Sequence, residues 1–214
     1  MIRIVMADDH AIVREGLKRI VATADDMAVV GEAADGTEVM RHVRESDFDV
    51  LVLDLSMPGR SGMELIKLVH SEKPKLRILV LSMHQELHYA VRAIKSGAGG
   101  YLPKESAPAQ LVQVLRRIAS GHAFISTEVA EQLALGTMLG GTSVPHEKLS
   151  DREFEVFRLI AVGVSGTDIA ARLNLSAKTI STHKANLMQK MGLQNQSELI
   201  RYAIKHGVTE PLES

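Results

Sequence analysis

Five side chains could carry out metal-assisted phosphoryl chemistry if the fold brings them together: Asp8, Asp9, Asp54, Ser82 and Lys104. Each lies just after an apolar run rich in β-branched residues, and open parallel sheets gather functional groups at the carboxyl ends of their strands. Three carboxylates at one sheet edge repel one another unless a hard cation lies among them, and oxygen ligands with retained water suit Mg2+ better than a transition metal. A carboxylate beside such an ion can attack a phosphoryl group, because the metal neutralises charge on both reacting partners during an in-line transfer. Asp54 is the central candidate for that nucleophile. Lys104 would set a fixed positive charge against the phosphoryl oxygens, and Ser82 would supply a hydroxyl donor once those oxygens are present. Any one of these acids alone reads as a polar loop residue at a strand end. Their joint placement points to a site.

The elements that must position these residues are countable. Apolar runs at Ile2 to Met6, Val29 to Ala33, Val50 to Leu53, Ile78 to Leu81 and Tyr101 to Leu102 alternate with stretches of helical period. Those stretches are marked by Ile12, Leu17, Ile20 and Val21; Val39 and Val43; Met63, Ile66 and Val69; Val91 and Ile94; and Leu111, Val114, Leu115 and Ile118. Alternation of this kind predicts an α/β doubly wound domain with a five-stranded parallel sheet, flavodoxin-like in layout, over residues 1–121. Ser61 and Glu64 form a capping-box pattern for the third helix, just after Pro58 and Gly59. Phe48 and Phe124 sit beside apolar segments and read as packing residues, and His10 reads as a loop residue rather than a ligand.

Residues 122–147 read as a connecting helix and a flexible linker, since Gly, Thr, Ser and Pro replace the periodic pattern from Gly136 to Lys148. From 148 to 208 the strand-type runs disappear. Ser150 with Glu153, Ser165 with Asp168 and Asn195 with Glu198 mark three helix N-termini, so the second domain is small and all-helical. Phe154, Phe157 and Ile160 make one apolar stripe. After a break at Gly163 to Gly166, a short helix carries Ile169, Ala170 and Leu173, and a tight turn spans Asn174 to Ser176.

Ser176 can cap the next helix, whose Ile180, His183, Leu187 and Met191 share one face while Lys178, Ser181, Thr182, Ala185 and Gln189 share the other. That outward face has no acids. From Lys148 to Val208 there are nine Lys or Arg against five Asp or Glu, an excess of four, although the whole chain carries a formal net charge of -1. Helix, tight turn and an acid-free basic helix is an arrangement that lays side chains into a DNA major groove, its N-terminal dipole meeting phosphate. The same periodicity fits a helical bundle with a solvated face bearing Lys178, Lys184 and Lys190, because helix-turn-helix patterns are weak by themselves. The last helical stretch, Asn195 to His206, holds Leu199, Ile200, Ala203 and Ile204, apolar surface for core packing or for a dimer contact.

Composition excludes several classes. With 214 residues, 45% hydrophobic and 24% charged, the chain fits a soluble globular protein of one to two domains. No apolar run reaches membrane-spanning length, and the N-terminal MIRIVMADDH lacks the features of a signal peptide. The absence of Cys excludes disulfides and thiolate metal sites and fits a cytoplasmic location.

Two resemblances sharpen this reading. Asp8-Asp9-His10, DVLVLDLSMPGRSGMEL, ILVLSMH and GAGGYLPKES resemble the receiver domain of two-component response regulators. The resemblance implies that Asp54 accepts phosphate from a sensor histidine kinase. It implies that Asp9, Asp54 and the backbone carbonyl of Ser56 bind Mg2+, with Asp8 acting mainly through water. Ser82 and Tyr101 match the hydroxyl and aromatic pair whose coupled movement reports phosphorylation, the small serine favouring an inward tyrosine. One departure is that Lys104 is followed by Glu105 and preceded by Pro103, where many receivers place proline after the lysine. Residues 146–208 are similar to the LuxR-type output domain of the NarL/FixJ group. That similarity implies phosphate contacts from Lys178, Thr179, His183 and Lys184 and base-edge contacts from Ser181, Thr182 and Ala185, with His183 otherwise partly buried. Short side chains at Ser181 and Ala185 cannot make bidentate base contacts, so shape readout gains weight.

The implied protein is a transcription regulator rather than an enzyme. Phosphorylation would control dimerisation and binding to double-stranded promoter DNA, with RNA polymerase as a further partner and no membrane. Two rivals follow from the same residues. One is a regulator that binds DNA without phosphorylation. The other is a Mg2+-dependent phosphatase working through an aspartyl-phosphate, as in haloacid dehalogenase-like enzymes, although those carry a DxD motif after the first strand and here the first-strand acids are adjacent.

Overall fold

The five apolar runs form β1 (Ile2–Ala7), β2 (Met27–Ala33), β3 (Val50–Asp54), β4 (Arg77–Ser82) and β5 (Gly100–Pro103), all parallel in the order β2-β1-β3-β4-β5. Between and after them run α1 (Ala11–Val21), α2 (Gly36–Glu45), α3 (Gly62–Glu72), α4 (Leu87–Lys95) and α5 (Ala107–Ala119). This computed structural model describes residues 1–57, 62–83, 87–138 and 144–208, and it divides into two compact units, Met1–Ala134 and Leu135–Ser214.

Alternation along the strands decides which side each residue faces. Val5, Ala7, Leu51, Leu53, Ile78, Val80 and Tyr101 form one core with α2, α3 and α4. Ile4, Met6, Val50, Val52, Leu79, Leu81 and Leu102 form the other with α1 and α5. Both faces are therefore covered, which is why β3 is buried along its whole length. The β5 edge is closed by backbone: Tyr101 N–H donates to the Phe124 carbonyl at 3.1 Å, and Phe124 N–H donates to Gly99 at 3.0 Å. Gly100 makes this approach possible, since a Cβ there would lie 2.6 Å from Ile118 Cδ1 and 3.0 Å from the Phe124 oxygen. Phe48 and Phe124 pack against the two cores, as their flanking residues suggested. The Ser61 cap, with Pro58 and Gly59 before it, lies outside the described residues.

The irregular segment is shorter than its composition suggests. Helix α6 (Thr127–Met138) runs through Gly136, and Pro145–Lys148 forms a 3-10 turn rather than free linker. His146 anchors that turn: it is buried, and its Nδ1 lies 2.9 Å from the Tyr202 hydroxyl. Apolar periodicity could not report this hold, which draws on the hydrogen bond to Tyr202 and on ring contacts with Phe154, Tyr202 and His206.

The second unit contains α7 (Asp151–Ala161), α8 (Gly166–Arg172), α9 (Ala177–Met191) and α10 (Gln196–Lys205). All four start at the side chains read as caps: Ser150 in a full capping box with Glu153, then Ser165, Ser176 and Asn195. The turn before α9 puts Asn174 in the left-handed region at φ 51°, a conformation asparagine tolerates better than most residues. Phe154, Phe157, Ile160, Ile169, Ile180, Leu187, Met191, Leu199 and Ala203 fill the core. Among the described residues no helix is long and apolar enough to cross a membrane.

Candidate functional site

Four strand ends meet at one edge of the sheet. Asp8 follows β1, Asp54 ends β3, Ser82 ends β4 and Lys104 follows β5. The Lys104 ammonium donates to Asp8 Oδ2 at 2.6 Å and to Asp54 Oδ2 at 2.8 Å. These are deep contacts, with side-chain exposures of 12% for Lys104, 3% for Asp8 and 1% for Asp54. The second Asp54 oxygen accepts the Ser56 N–H at 3.1 Å, so the group of Ser56 shown touching Asp54 is its amide. Burial is the largest influence on Asp54 and raises its carboxyl above the ordinary carboxylate range, against the pull of Lys104. Burial also acts to lower Lys104, but its hydrogen bonds to Asp54 and Asp8 outweigh that and hold the ammonium above its ordinary range.

Asp9 is the open acid of the group, its side chain 30% exposed beside the His10 ring, whose Nδ1 lies 2.9 Å from Asp9 Oδ1. Ligand atoms of Asp8, Asp9, His10 and Asp54 all lie within 4.8 Å of one another. Three carboxylates carry three negative charges and Lys104 returns one positive, leaving an excess of two at an edge open to water. A hard divalent cation fits both that charge and the oxygen donors.

Ser82 and Tyr101 lie on β4 and β5, the two strands that follow β3 across the sheet. Ser82 is fully buried at the end of β4, and Asp54 is in register with Leu81 on that strand. Tyr101 pairs with Val80 and is 7% exposed, packed inward in the core shared with α4.

In the second unit, α9 presents Lys178, Ser181, Thr182, Ala185 and Gln189 to solvent and buries Ile180, Leu187 and Met191. His183, Thr179 and Lys184 are half-buried. The hydroxyls of Ser181 and Thr182 donate to the carbonyls of Ala177 and Lys178 at 3.0 and 3.1 Å, which leaves their outward lone pairs as acceptors. Lys190 is drawn away from the outer face, donating to Glu153 at 2.6 Å.

Three residues that the periodicity did not single out touch these sites. Arg14 donates to the Asp8 carbonyl at 2.6 Å, and the His10 N–H donates to Asp8 Oδ1 at 2.8 Å. Gln196 Oε1 accepts from Lys184 at 2.8 Å. Helical and strand periods report burial, and these are polar contacts between elements.

Comparison with known proteins now defines the class. Residues 4–116 match the response regulator receiver domain family, and residues 147–203 match the bacterial regulatory proteins of the luxR family. The chain belongs to the response regulators, as a NarL/FixJ-group member with a receiver domain and a LuxR-type DNA-binding domain. It is 38% identical over 210 residues to the oxygen regulatory protein NreC of Staphylococcus carnosus, covering 95% of this chain and 97% of that protein. It is 33% identical over 209 residues to the response regulator UvrY of Escherichia coli strain K12, covering 97% and 96%. Among solved structures, RcsB of Salmonella typhimurium matches at 33% identity with a TM-score of 0.68, over 94% of this chain and 96% of that one. RcsB bound to the rprA promoter in the presence of the phosphomimetic BeF3- matches at 33% identity and a TM-score of 0.64, over 94% and 98%.

Proposed function

We propose that Asp54 is the phosphoacceptor through which a sensor histidine kinase controls DNA binding by α9. The observation that carries this is the Lys104 ammonium held between two buried carboxylates, 2.8 Å from Asp54 and 2.6 Å from Asp8. A cation so placed can leave a carboxylate for a phosphoryl oxygen without leaving the pocket. Asp9 and Asp54, with the Ser56 carbonyl and with Asp8 through water, would hold Mg2+, which when bound neutralises charge during the transfer. Ser82 donates its hydroxyl to the new phosphoryl oxygens, and Tyr101 follows it within the core against α4. The ligand shifts an equilibrium between existing receiver states, and the favoured state dimerises and binds promoter DNA in the cytoplasm beside RNA polymerase. Lys178, Thr179, His183 and Lys184 meet phosphates, while Ser181, Thr182 and Ala185 face base edges.

The receiver assists its own phosphoryl transfer and hydrolysis, and the protein's output is transcription rather than turnover. The test compares wild type with Asp54→Asn, incubated with a small phosphodonor and Mg2+ and then titrated with promoter DNA. Labelling and the gain in DNA affinity should both vanish in the variant. An unchanged gain would establish the regulator that needs no phosphorylation, and sustained release of phosphate from external esters would establish the phosphatase.

A further inference from the structure

Asp8 is held at every polar atom it has. Its N–H donates to the Ala33 carbonyl on β2 at 3.1 Å, and its carbonyl accepts from Arg14 Nη1 at 2.6 Å. Its Oδ1 accepts from the His10 N–H at 2.8 Å, and its Oδ2 accepts from Lys104 at 2.6 Å. Three of these four holds come from the sheet or from within the acidic loop and its lysine. The Arg14 hold is the one supplied by a side chain of α1.

Arg14 is itself fixed. Its side chain is 16% exposed, and its Nε donates to Glu32 Oε2 at 3.0 Å. Glu32 receives Lys18 on its other oxygen at 2.7 Å, and Lys18 also pairs with Glu15. The hydrogen bonds from Lys18 and then Arg14 keep Glu32 below the ordinary carboxylate range, so it stays ionised as an anchor. A guanidinium suits this task because its planar fork serves two acceptors in fixed directions, which a lysine ammonium on a flexible stem cannot reproduce.

We infer that Arg14 is a positioning residue for the cation site: by clamping the Asp8 carbonyl it fixes the Asp8–Asp9 peptide plane and so the direction in which Asp9 presents its carboxylate. Asp9 needs such help, since its own side chain is partly exposed and, among the described residues, its partner is the His10 ring. Partners that orient metal ligands without touching the metal commonly alter affinity about 10- to 100-fold when removed. Lys18 makes the natural control, because it ties α1 to Glu32 on β2 without reaching Asp8.

This inference rests on the reading of the acidic pocket as a Mg2+ site. The experiment titrates the full chain with Mg2+ alone by calorimetry, and records the Asp9 amide resonance in cation-free protein, for wild type, Arg14→Ala, Arg14→Lys and Lys18→Met. Arg14→Ala should weaken Mg2+ binding by at least about ten-fold and shift the Asp9 amide. Arg14→Lys, which can serve one acceptor at a time, should fall between it and wild type. Lys18→Met should match wild type on both measures. Equal losses in Arg14→Ala and Lys18→Met would overturn the inference in favour of a plain helix-to-strand tie, as would wild-type affinity in Arg14→Ala. If Arg14→Ala does not fold, Arg14→Lys carries the same comparison against Lys18→Met. If wild type itself binds no Mg2+, the reading of the pocket fails, and the Asp9 resonance still decides whether Arg14 sets the geometry of the loop.

Discussion

Replacing Lys104 by Met removes the cation that bridges Asp8 and Asp54 among the described residues while keeping most of the side chain's length and apolar stem. The two hydrogen bonds it takes away, 2.6 and 2.8 Å long, end on carboxylates whose side chains are 3% and 1% exposed. Breaking a buried pair by deleting one partner costs about 3–5 kcal/mol, because the remaining charge is stranded out of water. The pocket limits that cost from above, since Asp54 is already pushed toward its neutral form by burial and can take up a proton when its partner is gone. The lower end of the range, about 3 kcal/mol, is therefore the expectation.

Amide exchange of Leu51 to Leu53, all buried in β3, reports opening of this unit alone. A loss of about 3 kcal/mol corresponds to exchange roughly 150-fold faster at those amides. In an Asp54→Asn background the same replacement should cost at least about 1 kcal/mol less, because no carboxylate at position 54 then loses its partner or has to take up a proton. A cost below about 1 kcal/mol in the Asp54 background, the figure for an exposed ion pair, would refute the picture of a buried and strongly coupled lysine.

The second unit yields three further expectations. Burial opposes the charge on Glu153, but the Lys190 ammonium and the Ser150 N–H outweigh it and hold its carboxyl below the ordinary range. Its contribution to stability is thus fully present above its unfolded pKa and lost as pH falls through the lower folded value, so an acid titration followed by circular dichroism should show Glu153→Gln flattening the decline below about pH 4.3. Ser176→Ala removes the acceptor for the Thr179 N–H at 3.0 Å and should destabilise α9 by about 1 kcal/mol in urea unfolding, with no change in exchange at β3. Lys178→Ala and Lys184→Ala should each reduce the slope of log DNA affinity against log salt by about 0.9, uniformly across DNA sequences, in fluorescence-anisotropy titrations.

What the sequence revealed and what it hid follow from how each feature is encoded. The βα alternation was readable because strand and helix leave different periods in the apolar pattern, and the two cores sort by those periods. The acids and Lys104 were readable because a parallel sheet delivers all its strand ends to one edge. Arg14 was not, because its contact with the Asp8 carbonyl joins a side chain to backbone across the β1–α1 turn, and backbone carbonyls leave no letter in the sequence. Where α6 ends was not legible for a related reason: Gly136 lacks a side chain to mark a helix face, and α6 continues through it. His146 carried no periodic signal either, and only the fold shows that it meets the Tyr202 hydroxyl.

Several polar groups of both candidate surfaces are satisfied internally, and this bears on how the proposed switch works. Lys104 is bonded to two carboxylates, Lys184 to the Gln196 amide, and the Ser181 and Thr182 hydroxyls to carbonyls one turn back. Arrival of a phosphoryl group at Asp54 or of a DNA phosphate at α9 is then an exchange of hydrogen-bond partners rather than the capture of unsatisfied ones. The net gain from such an exchange is about 1 kcal/mol per bond, far below the strength of the bond itself. Moving a two-state equilibrium from one to ninety-nine parts to the reverse takes about 5.5 kcal/mol. No single exchange reaches that figure, so in the proposed switch a phosphoryl charge at Asp54 would act through several contacts together, those of Lys104, Ser82 and the cation. The same smallness of each step would keep the proposed switch reversible, because loss of the phosphoryl group would return Lys104 to the partners it has here.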